Sequence, residues 1–293
     1  MKNSLSKFSL GTVKLGIDDY GFSSKNSKNI DKQIFLKKVY DLGIIHFDTS
    51  PRYNNSESVL GQFIKNNDLR VKVSSKIDKL SPNSLNSRFE IQNSVQTSLK
   101  NLNVKKLNIC YLHQNNLNII SDPIIQETLL CLKENEIIEH IGASIYTEQE
   151  LDYAIHCGVY DYIQIPVNIF DISLYDNYVK KNTNNIKFIA RSLFLQGLLV
   201  NAEKSEFKFI NDLNLYKQEI NSLISKTDYS FLETSLMFIY ALNNIHQYII
   251  GTTSIENLNN NLKIYQNPIE DDLFNLIYEI AKIPKTWSNP KFW

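Results

Sequence analysis

What most constrains the fold of this chain is an alternation: short β-branched runs take turns with amphipathic stretches nearly from end to end. A first strand is expected near Phe8–Gly11. Further strands follow at Ile44–Asp48, Val71–Ser75, Leu107–Leu112, Ile137–Ala143, Tyr162–Val167, Lys187–Ala190 and Tyr248–Ile250. Apolar residues at helical spacing mark helices over Ile30–Leu42, Glu57–Lys65, Ile91–Leu102, Ile124–Glu134, Glu148–Cys157 and Leu174–Lys181, and Gly43 stops the first. Phe207–Tyr229 reads as one more helix with its flanking loop. Strands separated by helices pair in parallel, because each crossover carries the chain back to the same end of the sheet.

Two parallel architectures compete. A doubly wound nucleotide-binding sheet opens with a glycine-rich or Walker loop that cradles phosphates, and neither motif occurs here. Eight β/α units in 293 residues fit a (β/α)8 TIM barrel, which takes about 250 residues plus insertions. No Pro/Gly/Ser-rich linker or shift in composition divides the chain, so residues 1–293 read as a single domain.

Charge removes several functions from consideration. Lys and Arg total 31, as do Asp and Glu, so the chain carries no electrostatic footprint for nucleic acid or an anionic membrane. No apolar run approaches membrane-spanning length, and Met1–Lys7 lacks the apolar core of a signal peptide; a cytoplasmic protein is expected. Cys110, Cys131 and Cys157 form no CxxC pair and lie in apolar surroundings, which predicts small buried hydrophobes rather than a disulfide or zinc site. His140, His156 and His246 lack ligand spacing, so no metal is expected. No heptad or self-complementary apolar stripe indicates an oligomeric state.

In a barrel of this kind reactive groups sit at the C-terminal ends of the strands. Side chains alternate along a strand, so Ile45 and Phe47 meet the helices while Asp48 looks into the mouth. The same rule places Lys72, Ser74 and Lys76 on one face and turns Tyr111 and His113 inward, away from Cys110. Asp48, Lys76 and His113 thus converge from three strand ends, and Tyr53 follows in the loop Ser50–Asn54. An acid, a lysine, a phenol and an imidazole make a proton-donating unit. Lys76 beside the phenol is expected to lower its pKa from about 10, Asp48 to hold Lys76 charged, and His113 to hydrogen-bond a carbonyl oxygen. Such a unit protonates the oxygen while hydride reaches the carbon.

These residues carry a resemblance. Gly43-Ile44-Ile45-His46-Phe47-Asp48-Thr49-Ser50-Pro51-Arg52-Tyr53-Asn54-Asn55-Ser56-Glu57 resembles the aldo-keto reductase signature G-I-x-x-F-D-T-A-x-x-Y-G-x-S-E. Ser94–Leu102 followed by Leu107–His113 is similar to the family's second signature, and Ile141-Gly142-Ala143-Ser144 to its I-G-x-S. Arg191–Leu199 and Gly251–Leu262 match the segments after strands seven and eight, so the likeness runs in order from about residue 8 to residue 265. It implies a nicotinamide-dependent oxidoreductase with Tyr53 as general acid, Lys76 and Asp48 as its tuning pair and His113 orienting the substrate. Ser144 and Gln164 fall where the family holds the nicotinamide carboxamide, and Arg191, with Ser192 beside it, where many members stack an aromatic residue on that ring. Gly251, Thr252, Thr253, Asn257, Asn260 and Asn261 belong to the cofactor segment.

Departures sharpen the expectations. Ile145 replaces the usual Asn after the serine, Asn108 replaces an Asp, and Ser50 replaces the customary Ala. Gly251–Asn257 offers no cation to a 2′-phosphate, which implies NADP or NAD with weak discrimination between them. Tyr20, Phe22, Tyr146 and Phe194 are aromatic candidates for the pocket, and the tail Trp287–Trp293 is expected over the mouth. The Arg191–Leu199 segment and the terminal Pro-Lys-Phe-Trp resemble a bacterial subgroup tied to surface-polysaccharide pathways, which implies a sugar or sugar-derived carbonyl substrate. Two other classes remain: a nicotinamide-binding regulatory subunit with little turnover, like the barrel partners of potassium channels, and a barrel binding protein without redox activity.

Overall fold

The computed structural model describes residues 5–22, 30–113, 116–201, 208–289 and 291. Its strands are β1 (Phe8–Gly11), β2 (His46–Asp48), β3 (Lys72–Ile77), β4 (Leu107–Leu112), β5 (Ile138–Ser144), β6 (Tyr162–Pro166), β7 (Lys187–Arg191) and β8 (Ile245–Ile250). They run parallel in sequence order, and β8 pairs back onto β1 to close the barrel. The (β/α)8 expectation therefore holds. The largest displacement of a strand end is in β8, which begins at Ile245 rather than Tyr248.

Period-two alternation builds two cores. Leu10, Phe47, Val73, Cys110, Ile141, Ile163, Phe188 and Ile250 face outward and pack beneath the helices. The opposite parity fills the barrel itself with Ile109, Tyr111, Tyr162 and Ile189, and Ile249 packs against them. Register aligns Tyr111 with Gly142 on the neighbouring strand. A Cβ on Gly142 would lie 2.3 Å from the Tyr111 ring, so the glycine leaves the space that the phenol fills.

Polar caps set where helices begin. Asp31 accepts hydrogen bonds from the Gln33 and Ile34 amides and starts Lys32–Asp41; Asp122, followed by Pro123, starts Pro123–Glu134. Capping boxes Thr147/Glu150 and Ser230/Glu233 open Glu148–His156 and Phe231–Tyr240. Three expectations change. The Leu174–Lys181 helix is a π-turn at Tyr175–Val179, with Asp176 bound to the Tyr278 hydroxyl. Cys131 is exposed, because the buried stripe of its helix is Ile125, Thr128, Leu129 and Leu132. The tail divides: Trp287 is anchored in the scaffold on Phe170, Phe209 and Tyr216 and donates from Nε1 to Asp212, whereas Asn289 donates to the Tyr146 carbonyl and Lys291 pairs with Glu150 at the mouth. Pro290, Phe292 and Trp293 lie outside the described residues, as does Phe207. No described helix is long and apolar enough to cross a membrane.

The end of the barrel opposite the strand C-termini gathers cations. His46 and His246 are held neutral, each at about 4, first by burial and then by the neighbouring lysines Lys72 for His46 and Lys187, Lys7 and Lys72 for His246. His140, lowered by burial against the pull of Asp161 and Glu139, lies across the Tyr162 ring from His246. The unfolded chain therefore binds more protons than the folded one between the ordinary histidine pKa and about 4, so stability falls as pH falls through that window. Urea unfolding should show a loss of about 2 kcal/mol between pH 7 and pH 5, discounted for the solvent access of both rings. The double variant His46→Gln/His246→Gln should reduce that dependence to the share of the other buried histidines; an unchanged slope would remove these two as its cause.

Candidate active site

At the C-terminal ends of the strands a single cavity of ≈ 1190 Å³ runs from the β2–β4 mouth to the helix Ile255–Ile264 after β8. All the site residues expected from the sequence line it. Asp48, Tyr53, Lys76 and His113 stand at one part of the wall; Ser144, Gln164, Arg191 and Ser192 continue it along β5–β7. Gly251, Thr252, Thr253, Asn257, Asn260 and Asn261 form the far end.

The acid and the lysine at the mouth are tied together by buried polar contacts. Lys76 and Asp48 are 3% and 5% exposed, so each depends on the other for compensation of its charge. Lys76 Nζ donates to Asp48 Oδ2 at 2.5 Å and to the Thr49 carbonyl at 2.9 Å. Asp48 Oδ1 accepts from Gln164 Nε2 at 2.7 Å, which fastens β2 to β6 across the barrel. Burial pulls the Lys76 ammonium below its ordinary range, and the charge and hydrogen bond of Asp48 work against that pull. Beneath this pair the signature residues have structural tasks. Ser56 Oγ donates to Thr12, and buried Glu57 accepts from Ser75 at 2.6 Å and from Asn101 at 3.2 Å.

Tyr53 sits on the loop after β2. Lys76 Nζ lies 5.4 Å from the centre of its ring, and the His113 ring meets it edge-on at 6.0 Å. The expected lowering of the phenol does not occur. Burial and then the Asp48 carboxylate raise Tyr53 far above its usual range, against the smaller opposing effects of Arg191 and Arg52. The reason is geometric: the ammonium faces Asp48 and Thr49 and makes no hydrogen bond to the phenol oxygen. His113 is neutral down to about 3, through burial and the positive charges of Lys76, Arg52 and Arg191. Ser50 Oγ lies 3.2 Å from His113 Nδ1 and accepts from the Arg52 amide.

The loop that carries Tyr53 leans on Gly16. A Cβ there would stand 1.7 Å from the Tyr53 carbonyl oxygen. Gly16→Ala should displace the phenol and lower kcat/KM by about a hundredfold, the scale of an ångström of misplacement. A thermal melt run beside the kinetics separates this from unfolding, and an unaltered kcat/KM would show that the loop tolerates the shift.

Several departures acquire explanations. Ile145 is fully buried in the outer core and presents no polar group to the cavity. Arg191 stacks on Tyr146, with its guanidinium carbon 3.8 Å from the ring centre, and donates from Nη2 to the Ile145 carbonyl. Asn108 donates to Glu139 on the outside of the barrel. Tyr20, Tyr146 and Phe194 line the cavity; Phe22 instead donates its amide to Gln196 and packs against the core.

The lining chemistry fits a nicotinamide dinucleotide. Buried Arg191 Nε makes no hydrogen bond among the described residues and is left for a ligand with an acceptor, while Gln164, whose Nε2 donates to Asp48, sits beside the buried Tyr111 hydroxyl. Lys14, partly buried beside β1 and in no ion pair among the described residues, lines the cavity as a cation suited to an anionic group, and Lys263 lines its far end beside Asn257, Asn260 and Asn261. Sequence reading passed over Lys14, although it lies three positions beyond Gly11, the end of β1. It also missed an adjoining cavity of ≈ 700 Å³ that shares Arg52 and His113 and is lined by Asn116, Leu117, Thr147–Glu150 and Lys291. Among the described residues no cluster suits a metal ion.

The model of the aldo/keto reductase family matches residues 7–282. Among solved structures, the holo form of aldo-keto reductase AKR11C1 from Bacillus halodurans superposes with a TM-score of 0.72 at 18% identity, covering 95% of this chain and 93% of that one. A thermostable aldo-keto reductase, Tm1743, in complex with the inhibitor epalrestat gives a TM-score of 0.69 at 20% identity, with 94% and 95% covered. No curated protein matches the sequence.

Proposed function

The chain belongs to the aldo/keto reductase family and is an NAD(P)-dependent oxidoreductase; from that premise we propose that it interconverts a carbonyl and an alcohol on a sugar or sugar-derived substrate, with Tyr53 as the acid. The observation that carries this reading is the buried Lys76–Asp48 pair set beside Tyr53 and His113 at one end of a long, amide-lined cavity. Tyr53 is a neutral phenol whose hydroxyl makes no hydrogen bond to a described residue, so its proton is free for a substrate oxygen. Neutral His113 binds that same oxygen and sets its orientation. The phenolate left behind has Lys76 as a neighbouring cation, with Nζ 5.4 Å from the ring centre while its hydrogen bonds go to Asp48 and Thr49. A bound nicotinamide dinucleotide supplies the hydride, or accepts it in the reverse direction. Ser144, Gln164 and Arg191 hold its nicotinamide end, Lys14 its diphosphate, and Thr253, Asn257, Asn260 and Asn261 its adenosine.

The second cavity supports the sugar assignment. Its cations are matched within the protein, Arg52 with Asp78 at 2.9 Å and Lys291 with Glu150 at 3.2 Å, while the Glu148 carboxylate accepts from Asn177 and leaves the lining with an acceptor that disfavours an anion. The Gln149 amide joins the Asn116 Nδ2 and Thr147 hydroxyl donors, whose oxygens already cap helices, which suits an uncharged, hydroxyl-rich ligand better than an anion. We take residues 1–293 to act as a single domain in the cytoplasm, where its three free thiols stay reduced.

Mixing the protein with NADH or NADPH and a panel of sugar aldehydes, ketones and simple carbonyls should show loss of reduced-ring absorbance. Failure with every carbonyl, despite measurable cofactor binding, would favour a regulatory barrel. Thr253 stands where a 2′-phosphate would find a cation in an NADP-selective protein. Fluorescence titration should therefore find NADH and NADPH within about tenfold of each other, and Thr253→Arg should shift the ratio toward NADPH by about tenfold. NADPH binding a hundredfold tighter to the unmodified protein would refute weak discrimination.

A further inference from the structure

We propose that Ser50 is a positioning residue: its hydroxyl donates to His113 Nδ1 and so fixes the imidazole as the tautomer that carries its proton on Nε2. The inference rests on the reductase reading for its consequence, but the hydrogen-bond assignment stands on the resting protein.

Ser50 is fully buried at the start of the loop after β2, and its Oγ has two polar neighbours among the described residues. The Arg52 amide, 3.2 Å away, can only donate. His113 Nδ1, also 3.2 Å away, can donate or accept according to tautomer. Were the proton on Nδ1, Ser50 Oγ would accept twice and its own buried O–H would have no acceptor. A buried hydroxyl proton left unpaired costs about 1–3 kcal/mol. With the proton on Nε2, the Arg52 amide donates to Oγ, Oγ–H donates to Nδ1, and every group is satisfied.

That arrangement leaves Nε2–H for the cavity that His113 lines, where a carbonyl oxygen needs a donor. The opposite tautomer would present a lone pair to the same oxygen and repel it. Among the described residues His113 has no carboxylate partner that would fix its tautomer, and the charges that act on it are the cations Lys76, Arg52 and Arg191. Ser50 is thus the group that decides. The customary residue at this place in the signature, Ala, has no such hydroxyl, so the device belongs to this chain's own sequence.

The test combines a spectrum with a double-mutant cycle. In 15N-histidine-labelled protein, with the His113 signals assigned by their absence in His113→Ala, Nδ1 should give the signature of an unprotonated, hydrogen-bonded nitrogen and Nε2 that of a protonated one. Ser50→Ala should populate both tautomers and lower kcat/KM for carbonyl reduction by about three- to tenfold, the scale of one hydrogen bond, with cofactor affinity unchanged. Ser50→Thr should restore most of the loss. In a His113→Ala background, Ser50→Ala should cost nothing further, because the effect passes through the imidazole. A protonated Nδ1 in the unmodified protein, or an equal loss in both backgrounds, would overturn the assignment. If no carbonyl is reduced at all, the reductase reading fails while the spectrum still decides the tautomer.

Discussion

Replacing Tyr53 with Phe should lower kcat by at least about a thousandfold while leaving the dissociation constant for NADH or NADPH within about twofold. The ring stays, so its contact with His113 and the packing of the loop persist. What disappears is a transferable proton that no neighbour can replace. The hydrogen bonds of Lys76 go to Asp48 and Thr49, and His113 is already deprotonated down to about 3. Because the Tyr53 hydroxyl has no described partner, its loss should leave the melting temperature nearly unchanged. Stopped-flow absorbance of the reduced cofactor, paired with fluorescence titration, checks both halves. A variant retaining a tenth of the turnover would assign the proton to another group.

The second large effect concerns stability as well as chemistry. Lys76→Met removes the ammonium and strands the Asp48 carboxylate in the barrel mouth with Gln164 as its one remaining side-chain donor among the described residues. An uncompensated buried charge of this kind destabilises by about 3–5 kcal/mol, which should lower Tm by several degrees. Removing the partner too, in Lys76→Met/Asp48→Leu, should recover most of that loss, because the desolvated charge is gone. Neither variant should turn over at more than about a hundredth of the normal rate, since the phenolate has lost its cation. Denaturant unfolding of the two proteins separates these consequences. If the double variant is no more stable than the single one, the pair is not the burden on the fold described above.

The barrel was legible because its signal is repetitive. Each β-branched run fixes one strand, and alternation within a run fixes which side chains reach the mouth; Asp48, Lys76 and His113 followed from parity alone. Helices that do not obey a 3.6 period escaped. Phe231–Tyr240 is buried at six successive positions, Thr234–Ile239, so it shows no polar face to mark it. Asp271–Ala281 does carry a stripe of Leu273, Ile277, Tyr278 and Ala281, and could have been placed by the same count used elsewhere. At the site, residue identity was readable and electrostatics were not. Whether Lys76 lowers the Tyr53 phenol depends on where the ammonium points and how dry the mouth is, and both are set by contacts between distant segments. That Ser50 replaces an Ala is visible in the sequence, but its partner His113 lies 63 positions along the chain and is met only through folding.

The central claim is that this chain moves a hydride to a carbonyl carbon while Tyr53 protonates the oxygen. Incubation with NADPH or NADH deuterated at the reactive ring carbon, followed by mass spectrometry of the alcohol, tests it most directly. The unmodified protein should place one deuterium on the former carbonyl carbon, and Tyr53→Phe should place almost none in the same time. Equal labelling by the two proteins, or no labelling by the unmodified one across the sugar and carbonyl panel, would contradict the account.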